Sequence, residues 1–180
     1  MTDLTTIAGT YVIDPSHSEL SFTARHAMVT KVRGTFNDIS GTAATEANLQ
    51  NARIEVKVGV ESINTRSADR DGHLKSADFF DVAQYPNITF VSTDVTRDGS
   101  EWAITGDLTI KDVTKPVTID FEVSGPATDP FGNERIGAEG AIEVNRKDFG
   151  LTWNAALETG GVLVSEKVKL AFDVSLIKQA

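Results

Sequence analysis

The chain has 180 residues, 40% of them hydrophobic and none of them cysteine, with 17 Lys and Arg against 26 Asp and Glu for a net charge of −9. That is enough apolar material for one domain spanning 1–180; the acidic balance disfavours nucleic acid as a partner, and the lack of thiols excludes disulfides, thiolate nucleophiles and cysteine-ligated metals. The opening MTDLTTIAGTY holds no Lys or Arg and no apolar run, and no stretch approaches the roughly 18 apolar residues of a membrane span, so a cytoplasmic chain with no stable membrane insertion is expected.

In chain order, Asp14 to Ser18 reads as a turn entering the first strand, ELSFTARH, and KVRGTFNDISGTA as a further, weaker strand. In RIEVKVGV, Ile54, Val56, Val58 and Val60 alternate with Arg53, Glu55 and Lys57, the period of a half-buried strand. Asn64 to Gln84 loses that period and predicts a short helical insert over about 66–84. Ser67 or Asp69 caps its start, Gly72 limits the helix to two turns, and Ser76 caps a second short turn through Phe79. Pro86 then launches ITFVSTDV, which Asp98-Gly99 joins to EWAITGDLTI as a tight hairpin. PVTIDFEV and ERIGAEGAIEV follow. The last run, GVLVSEKVKLAFDVSLI, puts Val162, Val164, Val168, Leu170, Phe172, Val174 and Leu176 on one side.

The count is about eight strands, joined by loops too short for crossover helices, so neighbours are antiparallel. Gly34, Gly41, Gly106, Gly137 and Gly140 lie inside strands, where they suit a sheet that bends to close, and they favour a barrel over a sandwich. Alternation turns Phe22, Phe36, Phe90, Trp102 and Phe121 inward as candidate wall residues, with Phe79 and Phe80 as candidates for the mouth and Trp153 as a further contact. Two adjacent aromatics on a short helix point about 100° apart and cannot share its polar face, so Phe79, Phe80 and Leu74 are expected to close the barrel end as a gate.

The insert also carries the densest chemistry, DRDGHLKSADFFDVAQYP. Ser67, Asp69, Asp71, Gly72 and Asp78 fall on the spacing of a calcium loop, but a serine opens it, Arg70, His73 and Lys75 add positive charge, and no long helices flank it. A zinc site would need His17, His26 and His73 to converge from three segments. No serine occupies a nucleophile elbow and no carboxylate pair stands out, so neither catalytic nor metal residues are assigned. Arg70, Asp71, His73 and Asp78 are instead expected to tie the insert to the barrel.

The order YVIDPSHSELSFTARHAM, KVRGTF, RDGHLKSADFFDVAQYPNITF, GDLTIKDVTKPV and LETGGVLVSEKVKL resembles the YceI-like family of lipid-binding proteins over a core of about 9–177. Asp112, where relatives more often have a small residue, and the absence of the relatives' secretory leader are departures. The resemblance implies an all-β, antiparallel, lipocalin-like barrel, a homodimer in many relatives. Its interior would hold a long-chain apolar ligand: a polyisoprenoid, an isoprenoid quinone or a fatty-chain amphiphile. No cofactor is implied. An enzyme using His73 or His26 as a base near the mouth, and a ligand-free structural or partner-binding domain, are the alternatives.

Overall fold

The computed structural model describes residues 7–158 and 160–180, so residues 1–6, on which the expectation about the start of the chain rests, lie outside it. The elements are β1 (Gly9–Ile13), β2 (Glu19–His26), β3 (Thr30–Phe36), β4 (Ile39–Thr45), β5 (Arg53–Gly59), β6 (Ile63–Asn64), α1 (Ala68–Lys75), β7 (Asn87–Asp98), β8 (Glu101–Ile110), β9 (Val113–Thr128), β10 (Glu134–Asn145) and β11 (Lys167–Lys178). Among these, eight strands pair in the order β1, β4, β5, β7, β8, β9, β10, β11, all antiparallel, and β11 returns to β1 with Tyr11 opposite Lys178 and Ile13 opposite Leu176. The barrel is therefore closed, as the interior glycines and short loops imply.

Three strands bend and continue. β2 follows β1 around a 3₁₀ turn at Pro15–His17, β3 precedes β4, and β6 follows β5, and together β2, β3 and β6 prolong the wall along the first half of β11. The upper end of the barrel carries the β7–β8 and β9–β10 hairpins, and the lower end carries α1 and the β2–β3 and β8–β9 hairpins.

The structure departs from the pattern-based expectation in four places. KVRGTFNDISGTA is two strands, because at Asp38 the backbone leaves the ladder: its carbonyl accepts from Gly59 N–H at 2.8 Å and its N–H donates to Ser62 Oγ at 3.1 Å. A separate first strand, β1, precedes the turn at Pro15–His17. The final strand begins only at Lys167. Val162 and Val164 lie in a loop where the Asn154 amide takes over the role of a neighbouring strand, accepting from Val164 N–H at 3.0 Å and donating to Val164 C=O at 2.8 Å. The insert, too, is less helical than its composition suggests. α1 stops at Lys75, capped at its start by Ser67 Oγ accepting from Arg70 N–H, and residues 76–84 are consecutive turns.

The bend between β1 and β2 is clamped from outside. Arg135 donates to Asp14 at 2.8 Å and to Asp129 at 2.7 Å, and this guanidinium holds both carboxyls well below the ordinary carboxylate range. Their folded pKa values lie below the unfolded ones, so the unfolded chain takes up more protons in acid. The pairs therefore stabilise the fold above the ordinary aspartate value of 3.8, and that contribution disappears as the pH falls further. Urea midpoints measured from pH 6 down to pH 2 should decline below about 4. In Arg135→Met the decline should be shallower; an unchanged slope would show that other carboxylates dominate acid unfolding.

Candidate functional site

The inward faces of the strands make the site. β8 buries Trp102, Ile104, Leu108 and Ile110, while β9 buries Ile119, Phe121 and Val123. A bulge between Ser92 and Asp94 shifts β7 by one residue, so Ile88 and Phe90 face inward below it and Val95 above it. The result is an apolar bore with three chambers stacked along the axis. The upper one, of about 70 Å³, includes Ile7, Tyr11, Leu49, Trp102 and Ile136 in its lining. The middle one, of about 60 Å³, includes Phe90, Phe121, Phe172 and Val174, and shares Ile104 and Leu176 with the upper. The lower one, of about 90 Å³, includes Phe22, Phe36, Leu74, Phe79, Phe80 and Arg146. Each is smaller than the roughly 150 Å³ apolar cavity that accepts one benzene ring, so a long chain must push side chains aside to run the length of the barrel.

Seven of the eight aromatic candidates line the bore. Trp102 lies in the upper chamber and Phe90 and Phe121 in the middle one. Phe22, Phe36, Phe79 and Phe80 lie in the lower one. Trp153 stands apart. It does not line the lower chamber but backs it from behind, with ring centroids 5.4 Å from Phe79 and 4.6 Å from His73.

Strand glycines have a second role beside closure. A Cβ on Gly34 would lie 2.4 Å from the Phe22 ring, and one on Gly140 would lie 2.7 Å from Phe121. Each ring occupies the space over the glycine opposite it across the ladder.

At the lower end, Phe80 meets Phe36 edge-on at 5.8 Å, while Phe79, His73 and Trp153 pack as a mutual triad. Neither phenylalanine is on the helix. Turns formed by Phe79 N–H to Ser76 C=O and Phe80 N–H to Leu74 C=O aim both rings inward, together with Leu74. The attachment expected of Arg70 and Asp71 centres on buried Thr65, just after β6: Arg70 donates to its Oγ1 at 2.8 Å and its C=O at 2.6 Å, and Asp71 accepts from its N–H at 2.8 Å. His73 and Asp78 instead bond each other at 2.9 Å within the insert. Lys75 adds an unforeseen tie to Glu61 at 3.0 Å. Asp71 and Asp78 are committed to these partners, and among the described residues no three His, Asp or Glu side chains are grouped to hold a metal ion.

Two features escaped the sequence reading. Arg146 is buried beside the lower chamber with no salt bridge among the described residues, and burial, partly offset by the Glu166 charge, lowers its pKa. It donates instead to the carbonyls of Leu151, Trp153, Val164 and Ser165 at 2.6 to 3.3 Å, and its Cζ lies 6.0 Å from the Phe79 ring centroid. In the upper chamber, Tyr11 Oη and Trp102 Nε1 are buried with no hydrogen-bond partner among the described residues. Burial, reinforced by the Glu134 charge, pushes the Tyr11 phenol up, so its hydroxyl keeps its proton.

Comparison with known proteins gives these observations a context. A family profile described as "YceI-like domain" matches residues 11–176. Protein YceI of Escherichia coli O157:H7 is 40% identical over 176 residues, covering 96% of this chain and 89% of that protein. Among solved structures, Burkholderia cenocepacia BcnA superposes with a TM-score of 0.79 at 22% identity, covering 91% of this chain and 98% of its own. A polyisoprenoid binding domain from Saccharophagus degradans gives 0.73 at 16% identity, covering 94% and 98%.

Proposed function

From the chain's membership of the YceI-like family, which the matches to the family profile and to Protein YceI establish, we propose that it binds a long-chain apolar molecule inside its barrel and does not transform it. The observation that carries this reading is the stack of three apolar chambers along the axis of a closed barrel. The ligand class is a polyisoprenoid, an isoprenoid quinone or a fatty-chain amphiphile. The Saccharophagus degradans neighbour, a polyisoprenoid binding domain, supports the first. Against catalysis, neither His73 nor His26 lines any of the three chambers.

Tyr11 and Trp102 narrow the class. A buried donor left without a partner costs about 1–3 kcal/mol, and a ligand oxygen that displaces the side chains covering the two donors would relieve that cost. A plain hydrocarbon offers no such oxygen. A phosphate end would bring a charge into a chamber lined by no cation. A neutral acceptor such as a quinone, amide or ester carbonyl fits both constraints.

Displacement of a fluorescent fatty-chain probe by a long alkane and by its ketone-ended analogue tests both levels. Tyr11→Phe, which removes an unpartnered hydroxyl, should leave the empty protein at least as stable, whereas Trp102→Phe also removes buried ring volume and lowers stability; both should weaken the ketone more than the alkane, by about tenfold for one lost hydrogen bond. Equal loss for both competitors would remove the carbonyl from the proposal. If neither competitor nor the probe enters the purified, delipidated protein, the binding reading itself fails.

A further inference from the structure

Five large hydrophobic side chains are exposed among the described residues, and three of them, Met28, Val29 and Val162, come from two neighbouring turns at the lower end. Met28 and Val29 form the tip of the β2–β3 hairpin, where Ala27 and Met28 take left-handed backbone angles with φ of 51° and 65°. The loop bearing Val162 is fastened to that tip: Ala27 N–H donates to Leu163 C=O at 2.7 Å, His26 bridges to Val164, and the Met28 sulfur fills the space a side chain on Gly161 would need. The apolar tip is thus a built surface of two segments held together.

Around it the charge inverts. From Leu20 to Asn37 the chain has Arg25, Lys31 and Arg33 and no carboxylate, although the whole protein carries −9. Lys31 and Arg33 line an open groove of about 820 Å³ with Arg66 and Arg70 from the insert, with Glu19 its one acid. None of these basic residues is in an ion pair among the described residues, whereas Arg53, Lys75, Arg135 and Lys147 all are. His26 also borders the groove, and Glu158 and Glu166, each four residues from Val162, are the acids closest in sequence to that turn, Glu166 being paired with Lys147. Phe22 belongs to both worlds, lining the lower chamber on one side and this groove on the other.

We propose that this end of the molecule docks on an anionic lipid bilayer, with Met28, Val29 and Val162 dipping into the headgroup boundary and Arg25, Lys31, Arg33 and Arg66 contacting lipid phosphates and carboxylates. An apolar tip ringed by unpaired cations suits a negatively charged interface better than it suits bulk water. The acidic remainder of the protein is repelled by the same surface. The insert at the same end carries exposed Asp69 and Asp78, so with screening over about 10 Å at 0.1 M salt it is the β2–β3 tip and its groove that approach closely, and docking is oriented. That orientation brings the Leu74, Phe79 and Phe80 end of the bore to the bilayer, the natural source and sink of apolar chains. Docking itself needs nothing in the bore, so it stands whether or not the ligand proposal does.

Flotation of the empty protein with vesicles of pure phosphatidylcholine, and with vesicles containing about a third phosphatidylserine, reads it directly. Binding is expected on the anionic vesicles only, weakening at least about tenfold between 50 and 500 mM salt. Val29→Glu and the double variant Lys31→Glu/Arg33→Glu should each reduce it by at least about tenfold. Phe131→Ser, at a residue 89% exposed in the β9–β10 turn at the upper end, should leave it unchanged. Equal binding to neutral vesicles, or no loss in the tip variants while Phe131→Ser weakens binding, would overturn the proposal. So would a dimer in solution that Val29→Glu dissolves, since the tip would then be covered by a second copy of the chain.

Discussion

Phe79→Ala is expected to destabilise the protein by about 3–5 kcal/mol and to accelerate release of a fatty-chain probe by tenfold or more. Phe79 is only 4% exposed, at the lower chamber, and its ring bridges the insert to Trp153 and His73. Truncation removes a full aromatic ring and opens the chamber toward the insert. Phe80→Ala should cost less, because Phe80 is only partly buried, yet it should also speed release, since its ring abuts Phe36 across the same chamber. The comparison needs a residue outside the bore. Phe172 is unsuitable, because it lines the middle chamber 6.1 Å from Phe121 and would itself change ligand contacts. Phe131→Ala, in an exposed turn at the opposite end, serves instead. Stability lost with release at the wild-type rate would make Phe79 and Phe80 ordinary core residues.

The second large effect is expected at Arg146. Its guanidinium satisfies four backbone carbonyls in a part of the chain with almost no regular structure, from Leu151 to Ser165. Hydrogen bonds to a charged donor contribute about 1.5–3 kcal/mol each, and acceptors left buried add their own penalty, so Arg146→Met should lose about 3–5 kcal/mol. Arg146→Lys should recover less than half of this, because a compact ammonium cannot fork between Leu151 and Val164. Urea unfolding gives the stability, and the emission of Trp153, whose carbonyl Arg146 holds, reports the loop. A loss below about 1 kcal/mol in Arg146→Met would mean that water replaces the guanidinium readily and that the loop is fixed by other contacts.

How far the sequence is legible follows from what its pattern encodes. Strict alternation encodes which face is buried, so the inward residues of β5, β8 and β9 can be read directly: one face meets the bore and the other meets water. It does not encode hydrogen-bond partners. Val162 and Val164 look like a strand, yet Val162 makes an isolated bridge to Ala156 and the backbone of Val164 is served by the side chains of Asn154 and Arg146, which leave no periodic trace. Asp38 breaks an apparently continuous run for the same reason. The inward direction of Phe36, Phe90, Trp102 and Phe121 was legible because their strands alternate, and the glycines that seat Phe22 and Phe121 were visible without their partners. The subdivision of the bore, the unpartnered donors of Tyr11 and Trp102, and the place of Trp153 behind Phe79 depend on side-chain directions that spacing does not carry.

The way the barrel closes has a kinetic consequence. Its last joint is between the first strand and the last, with Tyr11 facing Lys178 and Thr10 C=O accepting from Gln179 N–H at 2.7 Å, so the seam joins the two extremes of the chain. β4–β5, β7–β8, β8–β9 and β9–β10 are joined by short loops, and hairpins of that kind form in microseconds. Joining the seam spends the loop-closure entropy of nearly the whole sequence, and contacts so distant in sequence slow folding toward milliseconds or seconds. Until that joint is made, the interior is the face of an open sheet. A chain-like ligand present during folding can then lie down on it sideways, a route into the bore that avoids the phenylalanines at the lower end.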